Sequence, residues 1–172
     1  MPSTPKYEVK MSSRQLLEVA LWLERTGVEF YRFLSEELED SRLRNFFLRL
    51  AGMEISHENL VREMLQLEPE DDATKTAFDE TLTGREFFTR LRGMIEEKVF
   101  PLGINFITEL DKFRSPREAL PAAVQAEEQS IRIYRLLRGF ELDKTSSETL
   151  NRLLLEEEKH LNEVYKIYNS LK

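Results

Sequence analysis

Residues 50–64 read LAGMEISHENLVREM, and residues 153–167 read LLLEEEKHLNEVYKI. Each stretch holds a Glu three residues before a His: Glu54 and His57 in the first, Glu157 and His160 in the second. These are the only two His of the chain, and they lie 103 residues apart. At the same offset Ser12 meets Ser115, Ala20 meets Ala123, Glu24 meets Glu127, Tyr31 meets Tyr134 and Asp40 meets Asp143. Apolar positions agree as well, with Val28 opposite Ile131, Leu34 opposite Leu137, Leu50 opposite Leu153 and Val61 opposite Val164. Glu24 precedes Glu54 by 30 residues, as Glu127 precedes Glu157. Such self-similarity is expected of two copies of one unit, about 11–67 and 114–170, with a dissimilar insert of about 84–113 between them.

Each unit reads as two helices. Ser12 followed by Gln15 is a capping-box start. Leu17, Ala20, Val28, Tyr31, Leu34 and Leu38 then recur at helical spacing. Asp40 or Ser41 caps a second helix with the stripe Phe47, Leu50, Val61 and Met64. In the second unit, Ser115-Pro116-Arg117-Glu118 combines a cap, a Pro at the first helical position and a Glu at the third. Its stripe is Leu120, Ala123, Ile131, Tyr134 and Leu137. The last helix is expected to begin near Thr145 to Ser147, with the stripe Leu150, Leu153, Val164, Ile167 and Leu171. Between the units, Glu68 to Thr83 reads as a polar loop. Phe87 to Val99 reads as an extra helix, which Pro101 and Gly103 interrupt before another short turn of helix over Ile104 to Phe113.

Composition sets the limits. The 172 residues suit one domain, 1–172, with a core of its own, and 33% of them are charged. No Cys is present, which excludes disulfides, thiolate-bound zinc and iron–sulfur centres on this chain. A net charge of −7 argues against a broad nucleic-acid surface. No apolar run approaches a membrane span, and Met1 to Lys6 lacks the apolar stretch of a signal peptide. The expectation is a cytoplasmic protein without nucleic-acid or membrane partners.

The acidic residues fall into two groups. Glu29 has Arg25 and Arg32 at helical spacing, Glu128 has Arg132, and Glu36, Glu37, Glu63 and Glu148 also suit a solvated face. Glu24, Glu54, Glu127 and Glu157 instead fall within the apolar stripes, and His57 and His160 join them. Four ionised Glu in one apolar interior cost several kcal/mol each without compensation. Two divalent cations offset four carboxylates, and a carboxylate and imidazole donor set suits iron or manganese. One Glu from each of two helices plus Glu-x-x-His from each of the other two is a di-metal constellation of four-helix bundles.

Ala20-x-x-x-Glu24 with Tyr31 and Glu54-x-x-His57, repeated as Ala123-x-x-x-Glu127 with Tyr134 and Glu157-x-x-His160, resembles the rubrerythrin and ferritin-like di-iron family. The resemblance covers nearly all the chain except the insert. It implies an all-α, ferritin-like four-helix bundle with one long crossover and an additional helical insert between helices two and three. It also implies two Fe ions, for which Mn is the alternative. Glu54 and Glu157 would bridge them, Glu24 and Glu127 would bind one each, and His57 and His160 would give one nitrogen to each. Tyr31 and Tyr134 would hydrogen-bond the ligand carboxylates. Two departures stand out. Many rubrerythrins carry a further Glu three residues after the third-helix ligand, where this chain has Ser130, with Gly27 as its counterpart in the first unit. The four-Cys rubredoxin domain, their usual electron donor, has no equivalent in a chain without Cys, so the reductant is expected to be external.

The functional expectation is a di-iron oxidoreductase that reduces peroxide or dioxygen at the bundle core, with no catalytic residue beyond the metal site. A ferroxidase or iron-storage protein uses the same ligands, and a metal-stabilised scaffold is the non-catalytic alternative. A homo-oligomer, dimer or larger, is expected by the same resemblance. Trp22 falls off the inner stripe and marks a candidate subunit contact. The paired Phe46-Phe47 and Phe87-Phe88, with Met53, Met64 and Met94, read as packing.

Overall fold

The computed structural model describes residues 12–68, 115–140 and 142–171. Four helices account for nearly all of them: α1 (Ser13–Glu37), α2 (Ser41–Leu67), α3 (Pro116–Leu137) and α4 (Lys144–Ser170). The described residues contain no strand. The expected extra helix over Phe87 to Val99, Phe87-Phe88 and Met94 lie outside the described residues.

The helix starts show local chemistry at work. Ser12 and Gln15 form the reciprocal capping box: the Gln15 N–H donates to Ser12 Oγ (3.2 Å) and the Ser12 N–H to Gln15 Oε1 (2.9 Å). Asp40 accepts from the N–H groups of Arg42 and Leu43 and so caps α2. Asp143 accepts from the Ser146 N–H and starts α4 at Lys144, slightly earlier than expected. Ser115 departs from its expected role. Its side chain makes no cap bond; the hydroxyl donates instead to the Glu118 carboxylate, and Pro116 at the first position marks the start. α3 continues through Pro121, itself exposed, which removes one backbone donor.

The stripes become the core. The apolar stripe positions of α1, α2 and α3 are all buried. On α4 the burial stops early: Leu150, Leu153 and Val164 are buried, Ile167 is half-buried, and Leu171 is 51% exposed. The loss of burial begins at Ile167, still inside α4, and is complete at Leu171, the C-cap. Trp22 and Met53 pack, partly buried, against the core. Phe30, Tyr31, Phe46 and Phe47 form an aromatic group in which Tyr31 and Phe47 stack at 5.9 Å.

α1 packs along α2 and α3 along α4, while α1 meets α3 and α2 meets α4 more sparsely. Only Leu38, Glu39 and Asp40 separate α1 from α2, so these two helices are antiparallel neighbours. Tyr31 reaches Glu127 and Tyr134 reaches Glu24, which makes α1 and α3 antiparallel as well. Ser146 at the start of α4 bonds Glu68 at the end of α2 (3.2 Å), whereas Ser115 and Pro116 lie beside Tyr168 and Leu171 at the end of α4. The end of α2 and the start of α3 therefore lie at opposite ends of the bundle. Helices α2 and α3 thus run parallel, as the one-crossover topology requires.

Because Asp40 and Asp143 each satisfy N–H groups that their helices leave open, replacing either by Ala is expected to cost about 1 kcal/mol. Urea denaturation at neutral pH measures it. Ser115→Ala, which removes no cap bond, is expected to lie within about 0.5 kcal/mol of the parent.

Candidate metal centre

Every one of the four helices sends an acidic side chain into the core. Glu24 (α1), Glu54 (α2), Glu127 (α3) and Glu157 (α4) are each at most 4% exposed. His57 and His160 are buried beside them. Helical spacing explains the placement: Glu54 and His57 lie four and seven residues after Leu50, and Glu157 and His160 lie likewise after Leu153. Among the described residues no Lys or Arg is buried, so neither a lysine nor an arginine answers these carboxylates from within the core.

The distances order the cluster. His57 Nδ1 lies 3.3 Å from Glu24 Oε2, 3.4 Å from Glu54 Oε2 and 3.3 Å from Glu157 Oε1. His160 Nδ1 lies 3.4 Å from Glu54 Oε1, 3.9 Å from Glu127 Oε1 and 3.8 Å from Glu157 Oε1. Glu54 and Glu157 thus reach both imidazoles, whereas Glu24 approaches His57 and Glu127 approaches His160. The two rings lie nearly parallel, with centroids 5.2 Å apart. One donor atom from each of Glu54, His57, Glu157 and His160 falls within 4.8 Å of all the others.

Several of these atoms approach closely yet lack hydrogen-bond geometry. His57 Nδ1, both nitrogens of His160, Glu24 Oε2, Glu127 Oε2 and Glu157 Oε1 are buried without a hydrogen-bond partner. Orphaned buried polar atoms are rare because each one forfeits its hydration. Here they converge on one place and are all oxygen or imidazole nitrogen, the donor set of a divalent transition metal.

Tyr31 and Tyr134 cross the bundle in opposite directions. The Tyr31 hydroxyl donates to Glu127 Oε1 and the Tyr134 hydroxyl donates to Glu24 Oε1. Burial, with Glu127 beside Tyr31 and Glu24 beside Tyr134, pushes both phenols well above their usual range, so both stay protonated donors at neutral pH. Burial and the neighbouring Glu24 carboxylate push Glu54 well up; burial and Glu157 do the same to Glu127. Burial, with Glu54 and Glu24 adding to it, raises Glu157 to about 7. Glu24 is pulled the other way. Burial raises it, but His57, Glu54 and Tyr134 together hold it below its ordinary value. Burial depresses His57, and Glu157, Glu24 and Glu54 outweigh that and raise it to about 12.

Other acidic residues behave as surface groups. Glu29, Glu36, Glu63 and Glu148 are exposed, and Glu37 is half-buried. Glu128 differs from the expected pairing with Arg132: it accepts from the Tyr165 hydroxyl of α4 at 2.8 Å. Ser130 is buried, and so is Gly27. Helical spacing located the cluster but not the cavity beside it. Ser56, Glu63, Arg152 and Glu156 line that cavity together with His57, and each looks like an ordinary solvated helix position when read alone.

A model of the Rubrerythrin family matches residues 15–98. Glu24, Tyr31, Glu54 and His57 fall within the match, whereas Glu127, Tyr134, Glu157 and His160 lie beyond it. The match, the four-helix fold and the buried Glu and His cluster are together consistent with a rubrerythrin or ferritin-like di-iron domain. Comparison with curated proteins and with solved structures finds no match.

The shifts set a pH dependence for chelator-treated protein. Glu54, Glu127 and Glu157 bind protons more tightly folded than unfolded. Their contribution to stability is complete below about 4.5, the ordinary Glu value, and for Glu157 it is lost as pH rises through about 7. His57 has the same sign over a higher window, from about 6.5 up to about 12. Glu24 opposes them, contributing above about 4.5 and losing that contribution as pH falls. With three raised carboxyls against one lowered, the urea midpoint is expected to fall between pH 5 and pH 8. A midpoint that rises over that interval contradicts the assignment.

Proposed function

We propose that the cluster holds two iron ions, with manganese as the alternative, and that the protein is an oxidoreductase reducing peroxide or dioxygen with electrons from an external donor. The observation that carries the metal reading is the reach of Glu54 and Glu157 to both imidazoles, with Glu24 and Glu127 each confined to one. Glu54 and Glu157 would then be shared by two ions. Glu24 with His57 would complete one set, and Glu127 with His160 the other. Two divalent ions carry the charge that four ionised Glu require, and the orphaned nitrogens and oxygens gain partners. The match to the Rubrerythrin family supports iron.

When bound, such a metal pair supplies electrons and stabilises charge on both oxygens of a peroxide as the O–O bond breaks. Hydrogen peroxide takes up two electrons and two protons and leaves as two waters. The protein's own groups hold and orient. Tyr31 and Tyr134 fix the rotamers of Glu127 and Glu24, each from the opposite hairpin. The shell of Leu50, Leu153, Val61 and Val164 limits water around the carboxylates. The absence of Cys from these residues supports an external donor.

Protein purified without chelators is expected to carry about two metal ions per chain by elemental mass spectrometry. After anaerobic Fe(II) loading, peroxide is expected to oxidise the site much faster than dioxygen does, as followed by absorbance. A faster reaction with dioxygen, with uptake continuing beyond two irons, would transfer the site to iron handling. Absence of stoichiometric metal, unchanged in a His57→Ala, His160→Ala double variant, would remove the di-metal reading altogether.

Tyr31→Phe and Tyr134→Phe are each expected to weaken metal binding about 10- to 100-fold while leaving the stoichiometry unchanged. Competition against a chromophoric chelator reads this directly.

A further inference from the structure

The two imidazoles are not equivalent toward solvent. The His57 side chain is 10% exposed and that of His160 is 0% exposed. A cavity of about 410 Å³ accounts for the difference: His57 forms part of its wall, and Met53, Ser56, Leu60, Glu63, Arg152 and Glu156 are among its other lining residues. It sits between α2 and α4, one of the two sparsely packed pairs, and the exposed Ser56 lines it from α2. His57 turns Nδ1 toward three carboxylates. A cation crossing this cavity therefore meets an imidazole whose other face already belongs to the cluster. A groove between α3 and α4, lined by Glu128, Ile131, Arg132 and Arg135, includes neither His.

We propose that the cavity between α2 and α4 is the port through which a divalent metal ion enters the cluster, with His57 as its inner wall and Glu63 and Glu156 drawing the cation in. The proposal rests on the reading of the cluster as a metal centre. The lining offers a cation the carboxylate oxygens of Glu63 and Glu156, the second of them already paired with Lys159 at 2.7 Å. The His57 site fills first and the fully enclosed His160 site second.

The test is the rate at which Co(II) enters the chelator-treated full chain, followed by stopped-flow absorbance and therefore independent of turnover. Ser56→Trp, which fills the cavity from an exposed position, is expected to slow entry by about tenfold or more with unchanged final stoichiometry, because loading then waits on local opening. Glu63→Lys, an exposed change that leaves the fold in place should Ser56→Trp not fold, is expected to slow entry several-fold at low salt. That effect disappears at high salt. Arg132→Trp, in the groove between α3 and α4, is expected to load at the parent rate. Entry at the parent rate in both Ser56→Trp and Glu63→Lys overturns the port, and so does equal slowing by Arg132→Trp. Failure of the parent protein itself to bind Co(II) overturns the metal reading instead, so the two failures are distinguishable.

Discussion

Four carboxylates in one dry interior are the constraint on which the rest of the structure depends. Placing Glu24, Glu54, Glu127 and Glu157 in an apolar core is unfavourable unless positive charge or protons accompany them. The protein's own answers are partial. His57 takes a proton, two tyrosines donate one hydrogen bond each, and Glu54 and Glu127 are pushed toward neutrality. The surrounding leucines and valines make this demand acute, since they exclude the water that would otherwise solvate the charge. Helix lengths, caps and the antiparallel pairing of α1 with α3 all serve to bring six polar side chains to one level of the bundle.

Much of this was legible in the chain itself, because helical spacing is a strong rule over long elements. The position of Glu24 four residues after Ala20 and four before Val28 places it on the buried stripe without any knowledge of its neighbours. The same rule separates Glu29, with Arg25 and Arg32 on its face, from the inward group. Ser12 and Asp40 read correctly because a cap is a local interaction. The rule weakens near helix ends. Leu171 continues the numerical stripe of α4 but is 51% exposed at the C-cap, and Ile167 one turn earlier is already only half-buried. Ser115 carries the cap signature, yet its hydroxyl is engaged by Glu118, a competition that spacing alone does not resolve.

What the sequence did not disclose is relational. Glu128 and Tyr165 are 37 residues apart and on different helices, so their bond depends on how α3 is rotated against α4. The cavity beside His57 is likewise a property of two helices and of small side chains opposite larger ones. No single residue in it has an unusual identity. Asymmetry between the two halves is equally hidden: Glu-x-x-His is the same motif at both positions, but among the described residues His57 borders a cavity and is 10% exposed, whereas the His160 side chain is fully enclosed.

The division of the cluster between the two hairpins has a consequence for biosynthesis. Each His is surrounded by carboxylates of both: Glu157 approaches His57, and Glu54 approaches His160. The hairpin of α1 and α2 packs closely on itself and emerges first from the ribosome. At that stage Glu24, Glu54 and His57 interrupt the apolar face on which α3 and α4 later dock. Those three polar groups give the nascent hairpin a hydrated seam where a continuous oily surface would invite aggregation. The groups that make the finished core costly thus act as gatekeepers while the chain is still half made.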